Sequence, residues 1–145
     1  MTASPLQVAA AYAALANKGV YVAPTRTRRT GKAPHETLVR PETAQAVVAM
    51  LETAVNGEKA TGSRARIDGP RVAGKTGTAA WTRPDASTGI YASFVGFVPS
   101  TAPRFVILVG LEQPRNGEAG GKVAAPVFAR VATRVLLVPR QPAGR

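Results

Sequence analysis

From Phe105 to Leu111 the chain reads Phe-Val-Ile-Leu-Val-Gly-Leu, apolar at every position but one. Phe105, Ile107, Val109 and Leu111 fall on one side of an extended strand, and Val106 and Leu108 on the other. A strand with two apolar faces has to be covered on both, so this segment predicts the middle of a sheet with helices packed above and below. A second strand is predicted at Ile90–Val98, joined to it through Pro99-Ser100-Thr101-Ala102-Pro103, and a third run over Val72–Ala80. The covering layers are legible as well. Ser4, Pro5 and Gln7 make a capping box with proline at the first helical position, and Gly19 stops that helix. Pro41, Glu42 and Gly57 frame a second helix, whose Ala44, Val47, Val48, Leu51 and Val55 form one apolar stripe. A third is expected near Val123–Leu137, after a loop through Gly117, Gly120 and Gly121, with Pro126 marking its first turn or a kink and Val127, Phe128, Val131 and Val135 on its apolar side. Short strands at Val20–Val22 and Thr37–Val39 bracket a basic loop.

The fold class these signals predict is α/β: a three-stranded antiparallel sheet, at roughly 72–80, 90–98 and 104–112, with packed helices. A chain of 145 residues is one domain's length. Its core has to be thin, because 27 of the apolar residues are alanine.

Composition excludes several chemistries. With no cysteine there is no disulfide framework, thiolate nucleophile or cysteine zinc site. His35 is the single imidazole, so a Ser-His-Asp triad would have to use it and no two-histidine metal site can be built. No metal and no cofactor is expected. No apolar run reaches 18 residues and no basic n-region precedes an apolar stretch, so neither a membrane span nor a secretion signal is expected in this chain. The net charge of +11 is spread over both halves. Its one dense run, Arg26, Arg28, Arg29 and Lys32, reads as a solvated loop or a phosphate contact, and no aromatic residues interleave it as a single-strand binder needs.

Gly69-Pro70-Arg71-Val72-Ala73-Gly74-Lys75-Thr76 matches the phosphate-binding pattern G-x-x-x-x-G-K-[ST]. That loop requires a buried strand before it and a helix starting at the lysine, and neither flank reads so. Placed on a strand instead, Lys75-Thr76-Gly77-Thr78 offers a cation and two hydroxyls beside a residue without a side chain. Such a strand suits a carboxylate carried on an extended peptide.

Around that tetrad the chain resembles the transpeptidase domain of penicillin-binding proteins, above all the class B, division-type peptidoglycan D,D-transpeptidases. The tetrad matches the family's third motif. Thr2-Ala3-Ser4-Pro5-Leu6-Gln7 with Ala11–Asn17, Val72-Ala73-Gly74, Tyr91-Ala92-Ser93-Phe94-Val95-Gly96-Phe97 and Val123-Ala124-Ala125-Pro126-Val127-Phe128 resemble it in order and spacing. The resemblance covers roughly residues 2–138, with 139–145 a frayed tail. It implies that Lys75 is catalytic, supporting proton movement around a nucleophilic serine. It implies also that Thr76, Gly77 and Thr78 bind substrate, the two hydroxyls holding the carboxylate of a peptidoglycan stem peptide or a β-lactam and the Thr78 N–H serving the oxyanion hole. The parent would be membrane-anchored and extracytoplasmic, acting in cell wall synthesis and cell division.

The family's serine motifs are not found. The residues three after Ser4, Ser63, Ser87, Ser93 and Ser100 are Gln7, Arg66, Ile90, Gly96 and Pro103, so no S-x-x-K occurs, and no S-x-N occurs either. The chain is therefore expected to be the C-terminal half of the domain (residues 1–138), inactive alone and needing the complementary half or self-association. A non-catalytic peptide-binding module is the alternative, and a nucleotide- or nucleic-acid-binding protein the remaining rival. Incubated with penicillin, this chain is expected to keep its unmodified mass in mass spectrometry; an adduct on any serine would contradict the motif reading.

Overall fold

Ser4 begins the first helix as its capping box requires. Its hydroxyl accepts from the Gln7 N–H at 3.3 Å and its own N–H donates to Gln7 Oε1 at 2.8 Å. The computed structural model describes residues 3–27, 31, 33–82, 85–115 and 119–139. In chain order these form α1 (Pro5–Ala16), β1 (Val20–Val22), β2 (His35–Thr37), α2 (Pro41–Asn56), a 3-10 turn at Ser63–Ala65, β3 (Ala73–Thr82), β4 (Thr88–Val98), β5 (Phe105–Glu112) and α3 (Gly120–Leu136). The fold is mixed α/β, with β3, β4 and β5 paired antiparallel in that order and β1 and β2 in a separate ladder.

The second short strand lies at His35–Thr37, two residues earlier than the expected Thr37–Val39. Gly19 is the reason. It sits at φ 89°, a Cβ there would lie 2.1 Å from the Val39 carbonyl oxygen, and its N–H is given to the Ala14 carbonyl at the end of α1, so only its carbonyl is left to pair with β2. The Gly19 carbonyl accepts from the Leu38 N–H at 2.9 Å as the chain turns toward α2.

Each face of the three-stranded sheet carries one helical layer. Ala73, Phe97 and Val106 face Leu51, Val47 and Val48 of α2 and Tyr12 and Leu15 of α1. On the opposite face Phe94 and Val98, with Phe105, Ile107, Val109 and Leu111, pack against Ala124, Ala125, Phe128 and Ala132 of α3. The rings of Phe94 and Phe128 stand 4.7 Å apart and tilted by 60°. Phe94 can lie flat on the sheet because Gly74 and Gly96 pair beneath it: a Cβ on Gly74 would fall 2.7 Å from the ring.

Among the described residues β4 lies between β3 and β5, and β5 has the one neighbour in this chain that the sequence offers it. β4 is buried from Phe94 through Val98, whereas β5 pairs on one side only among the described residues and is half-exposed along its length. β3 and β4 come close at Gly96, where a Cβ would lie 2.6 Å from the Ala73 carbonyl oxygen.

α3 begins at Gly120, three residues before the expected Val123, which puts Pro126 in the second turn. Pro126 has no N–H to give the Lys122 carbonyl, and Arg64 Nη1 donates to that carbonyl instead, at 3.3 Å. The connection between α2 and β3 is pinned by Arg66, whose Nε donates to the Val55 carbonyl at 2.9 Å and whose Nη2 donates to the Gly57 carbonyl at 2.7 Å. At the β3–β4 turn the hydroxyl and N–H of Ser87 hold the Asp85 carboxyl below its ordinary range. No helix among the described residues is long and apolar enough to cross a membrane. Gly117, Arg28, Arg29, Lys32 and most of the tail fall outside the described residues, so the basic run is represented by the exposed Arg26 alone.

Phe128 is fully buried, and Phe128→Ala is expected to lower stability by about 3–5 kcal/mol in urea unfolding. Native-state hydrogen exchange is expected to be slowest along β4, with alternate β5 amides, those facing away from β4, exchanging fast.

Candidate functional site

The strand that carries Lys75-Thr76-Gly77-Thr78 is fixed at its entry by one side chain of α2 and one backbone N–H that follows β4. The Arg71 carbonyl accepts from the Ser100 N–H at 2.8 Å on the β4 side, while the Val72 carbonyl turns the other way and accepts from Asn56 Nδ2 at 2.9 Å. Successive residues of a strand alternate the direction of their backbone groups. Counting in twos from Val72, Thr76 and Thr78 turn N–H and C=O to the side of β3 away from β4. Among the described residues β3 pairs with β4 alone, so that side is an open edge.

Side chains alternate too. Thr76 and Thr78 lie on the α3 face, opposite Phe94 and Ala92, while Lys75 and Gly77 share the other face with Ala73. Lys75 is exposed, and its ammonium folds over the open edge, donating to the Thr76 carbonyl at 3.2 Å and to Thr76 Oγ1 at 3.4 Å. Thr76 Oγ1 in turn donates to Thr61 Oγ1 at 3.4 Å. Thr78 Oγ1 accepts from the Gly120 N–H, at the first residue of α3, at 3.2 Å. Gly77 presents its bare backbone over Ser93, with which it pairs.

All four residues singled out in the sequence therefore occupy one stretch of one open strand edge. Two further residues, Thr61 and Gly120, reach the same stretch across 15 and 42 positions of sequence. The paired glycines Gly120-Gly121 at a helix start were a usable signal for the second; nothing local marked Thr61.

A phosphate-binding loop is ruled out by geometry. Lys75 and Thr76 lie inside β3, and no helix begins at the lysine. His35 is exposed on β2, in the separate ladder, and takes no part in the three-stranded sheet. No cluster of three or more metal-ligating side chains occurs among the described residues. A cavity of about 610 Å³ lies between Leu15, Val48, Glu52, Phe97, Ser100 and Pro103, and no residue of the tetrad lines it.

The architecture is shared with solved transpeptidase domains. The transpeptidase domain of Burkholderia pseudomallei penicillin-binding protein 3 superimposes with a TM-score of 0.79 at 34% identity, covering 94% of this chain and 44% of that one. A transpeptidase domain from Legionella pneumophila gives 0.67 at 35% identity, over 90% of this chain and 45% of that one. The class defined by the fold is thus the transpeptidase domain. The family model described as "Penicillin binding protein transpeptidase domain" matches residues 1–133, and the chain belongs to that family. Among curated relatives it is 35% identical to the peptidoglycan D,D-transpeptidase FtsI of Escherichia coli, over 92% of this chain and 23% of the relative. It is 33% identical to the penicillin-binding protein PbpB of Mycolicibacterium smegmatis, over 90% and 24% respectively. The chain spans about a quarter of the curated relatives it matches.

Asn56 Nδ2 also donates to the Glu52 carbonyl at 2.8 Å, so one amide ties α2 to the strand entry. Asn56→Ala leaves the Val72 carbonyl without that donor and is expected to cost about 1–3 kcal/mol in urea unfolding.

Proposed function

We propose that this chain supplies the substrate-docking strand of a peptidoglycan D,D-transpeptidase that acts in cell wall synthesis and division, in a parent that is membrane-anchored and faces away from the cytoplasm. Residues 1–138 are then the C-terminal half of its transpeptidase domain and 139–145 a tail. The observation that carries the reading is the open β3 edge, where the ammonium of Lys75, the hydroxyls of Thr76 and Thr78 and the outward backbone of Thr78 stand within four consecutive residues.

On this reading a stem peptide lies along β3 as an added strand, bonding the outward N–H and C=O groups. Its terminal carboxylate is held by the two hydroxyls, with the Lys75 charge beside them. The penultimate D-Ala carbonyl then sits next to the Thr78 N–H. A serine on the complementary half attacks that carbonyl, the oxygen takes up negative charge, and the N–H stabilises it. One such donor is worth about 2.7–4 kcal/mol of barrier. Collapse expels the terminal D-Ala with a proton on its amine and leaves an ester on the serine, which an acceptor amine converts to a new amide while the serine regains its proton. A β-lactam places its carboxylate on the same hydroxyls and acylates the same serine. Lys75 supports these proton transfers. The half-buried apolar strand β5, open on one side, is where a strand of the complementary half extends the sheet.

Joined to the serine-bearing half of its domain, the chain is expected to be acylated by a fluorescent penicillin, and Lys75→Ala to slow that acylation by orders of magnitude with the unfolding midpoint unchanged. An unchanged rate would remove Lys75 from the chemistry. Stem-peptide binding without acylation would favour a non-catalytic binding module.

A further inference from the structure

Thr78 differs from Thr76 in what its hydroxyl does. Both oxygens accept, Thr76 Oγ1 from Lys75 Nζ and Thr78 Oγ1 from the backbone N–H of Gly120, but Thr76 Oγ1 also gives its hydrogen to Thr61. An oxygen that accepts at one lone pair keeps its own hydrogen for another partner. That hydrogen belongs to a side chain exposed at the β3 edge, on a residue whose backbone N–H also turns outward. Gly120 itself is buried, and no other residue fits its place. A Cβ there would lie 2.1 Å from the Ser93 carbonyl oxygen and 2.5 Å from that of Gly77, so α3 can bring its first N–H to Thr78 only through a glycine resting on the Gly77–Ser93 pair.

We propose that Gly120 is a positioning residue for the carboxylate site: its N–H occupies the Thr78 hydroxyl oxygen and thereby commits the hydroxyl hydrogen to the ligand. This rests on the reading of β3 as a carboxylate-docking strand and deepens it, by assigning the orientation of one donor to a residue 42 positions away. Of the two threonines, Thr78 is then the one prepared for an anion before it arrives, while Thr76 has to release Thr61 first.

The test uses the whole chain, labelled with ¹⁵N, and two probes followed by NMR titration: N-acetyl-D-alanyl-D-alanine and the same dipeptide as its C-terminal amide, which lacks the carboxylate. The unmodified chain is expected to prefer the acid. Thr78→Val keeps the side-chain shape and removes the acceptor, so the Gly120 amide is expected to exchange with solvent about tenfold faster and the preference for acid over amide to fall about tenfold. Thr78→Ser is expected to restore both. Gly120→Ala is expected to weaken the acid probe about tenfold more than the amide probe, a split that a general loosening of the fold does not produce. Should Gly120→Ala fail to fold, the Thr78→Val and Thr78→Ser pair decides alone. Unchanged Gly120 exchange in Thr78→Val, or a folded Gly120→Ala that still prefers the acid, would overturn the proposal. Equal binding of both probes by the unmodified chain would instead overturn the carboxylate reading, and the positioning role with it, so the two failures are told apart by which protein shows them.

Discussion

Helix α3 lies hard against the sheet, and the rest of the structure depends on how close it comes. At its middle Phe128 meets Phe94, whose ring lies flat because Gly74 and Gly96 pair beneath it. At its start Gly120 rests on the backbone of Gly77 and Ser93. Phe94 and Phe128, with the aliphatic side chains of β5, supply the buried area, and a handful of missing side chains supply the proximity. In a core built largely from alanine and valine this is how packing reaches interior density, since small residues gain little area individually but allow backbones to approach.

The same closeness brings the site together. An open sheet edge is ordinarily a hazard, because its unpaired N–H and C=O groups will accept any strand. β3 carries polar residues where those groups face outward, and its hydroxyls are engaged from behind by Thr61 and α3. On the proposed reading such an edge takes a partner that brings negative charge along with an extended backbone. The scaffold behind it is tied at each joint by a side chain that satisfies a backbone group: Asn56 at the strand entry, Arg66 under the connecting loop, and Arg64 at the carbonyl that Pro126 leaves free.

Much of the fold was legible before any coordinates. The capping box at Ser4, the apolar stripe of α2 and the three long strands all appear where local patterns put them, because caps, helical stripes and strand alternation depend on residues a few positions apart. Phe105–Leu111 has apolar side chains covered on both faces, as its pattern required, while among the described residues it pairs with β4 alone and β4 lies between it and β3. The start of α3 and the bounds of β2 differ from the local pattern because, in each, a glycine in close contact with a distant backbone governs where the element begins or ends.

By itself the sequence determined the class of the fold, the tetrad Lys75-Thr76-Gly77-Thr78, and the chemistries that lacking cysteine and having one histidine exclude. Ordered motifs across nearly the whole chain were enough to point to the family. Only the tertiary structure decided that the tetrad lies on an open edge, that Thr78 turns its backbone outward there, and that Gly120 is the residue bonded to its hydroxyl. These follow from which strands pair and which helix crosses them. Such contacts join residues tens of positions apart and leave no periodic trace in the chain, because each rests on one backbone approaching another rather than on a repeating pattern of side chains.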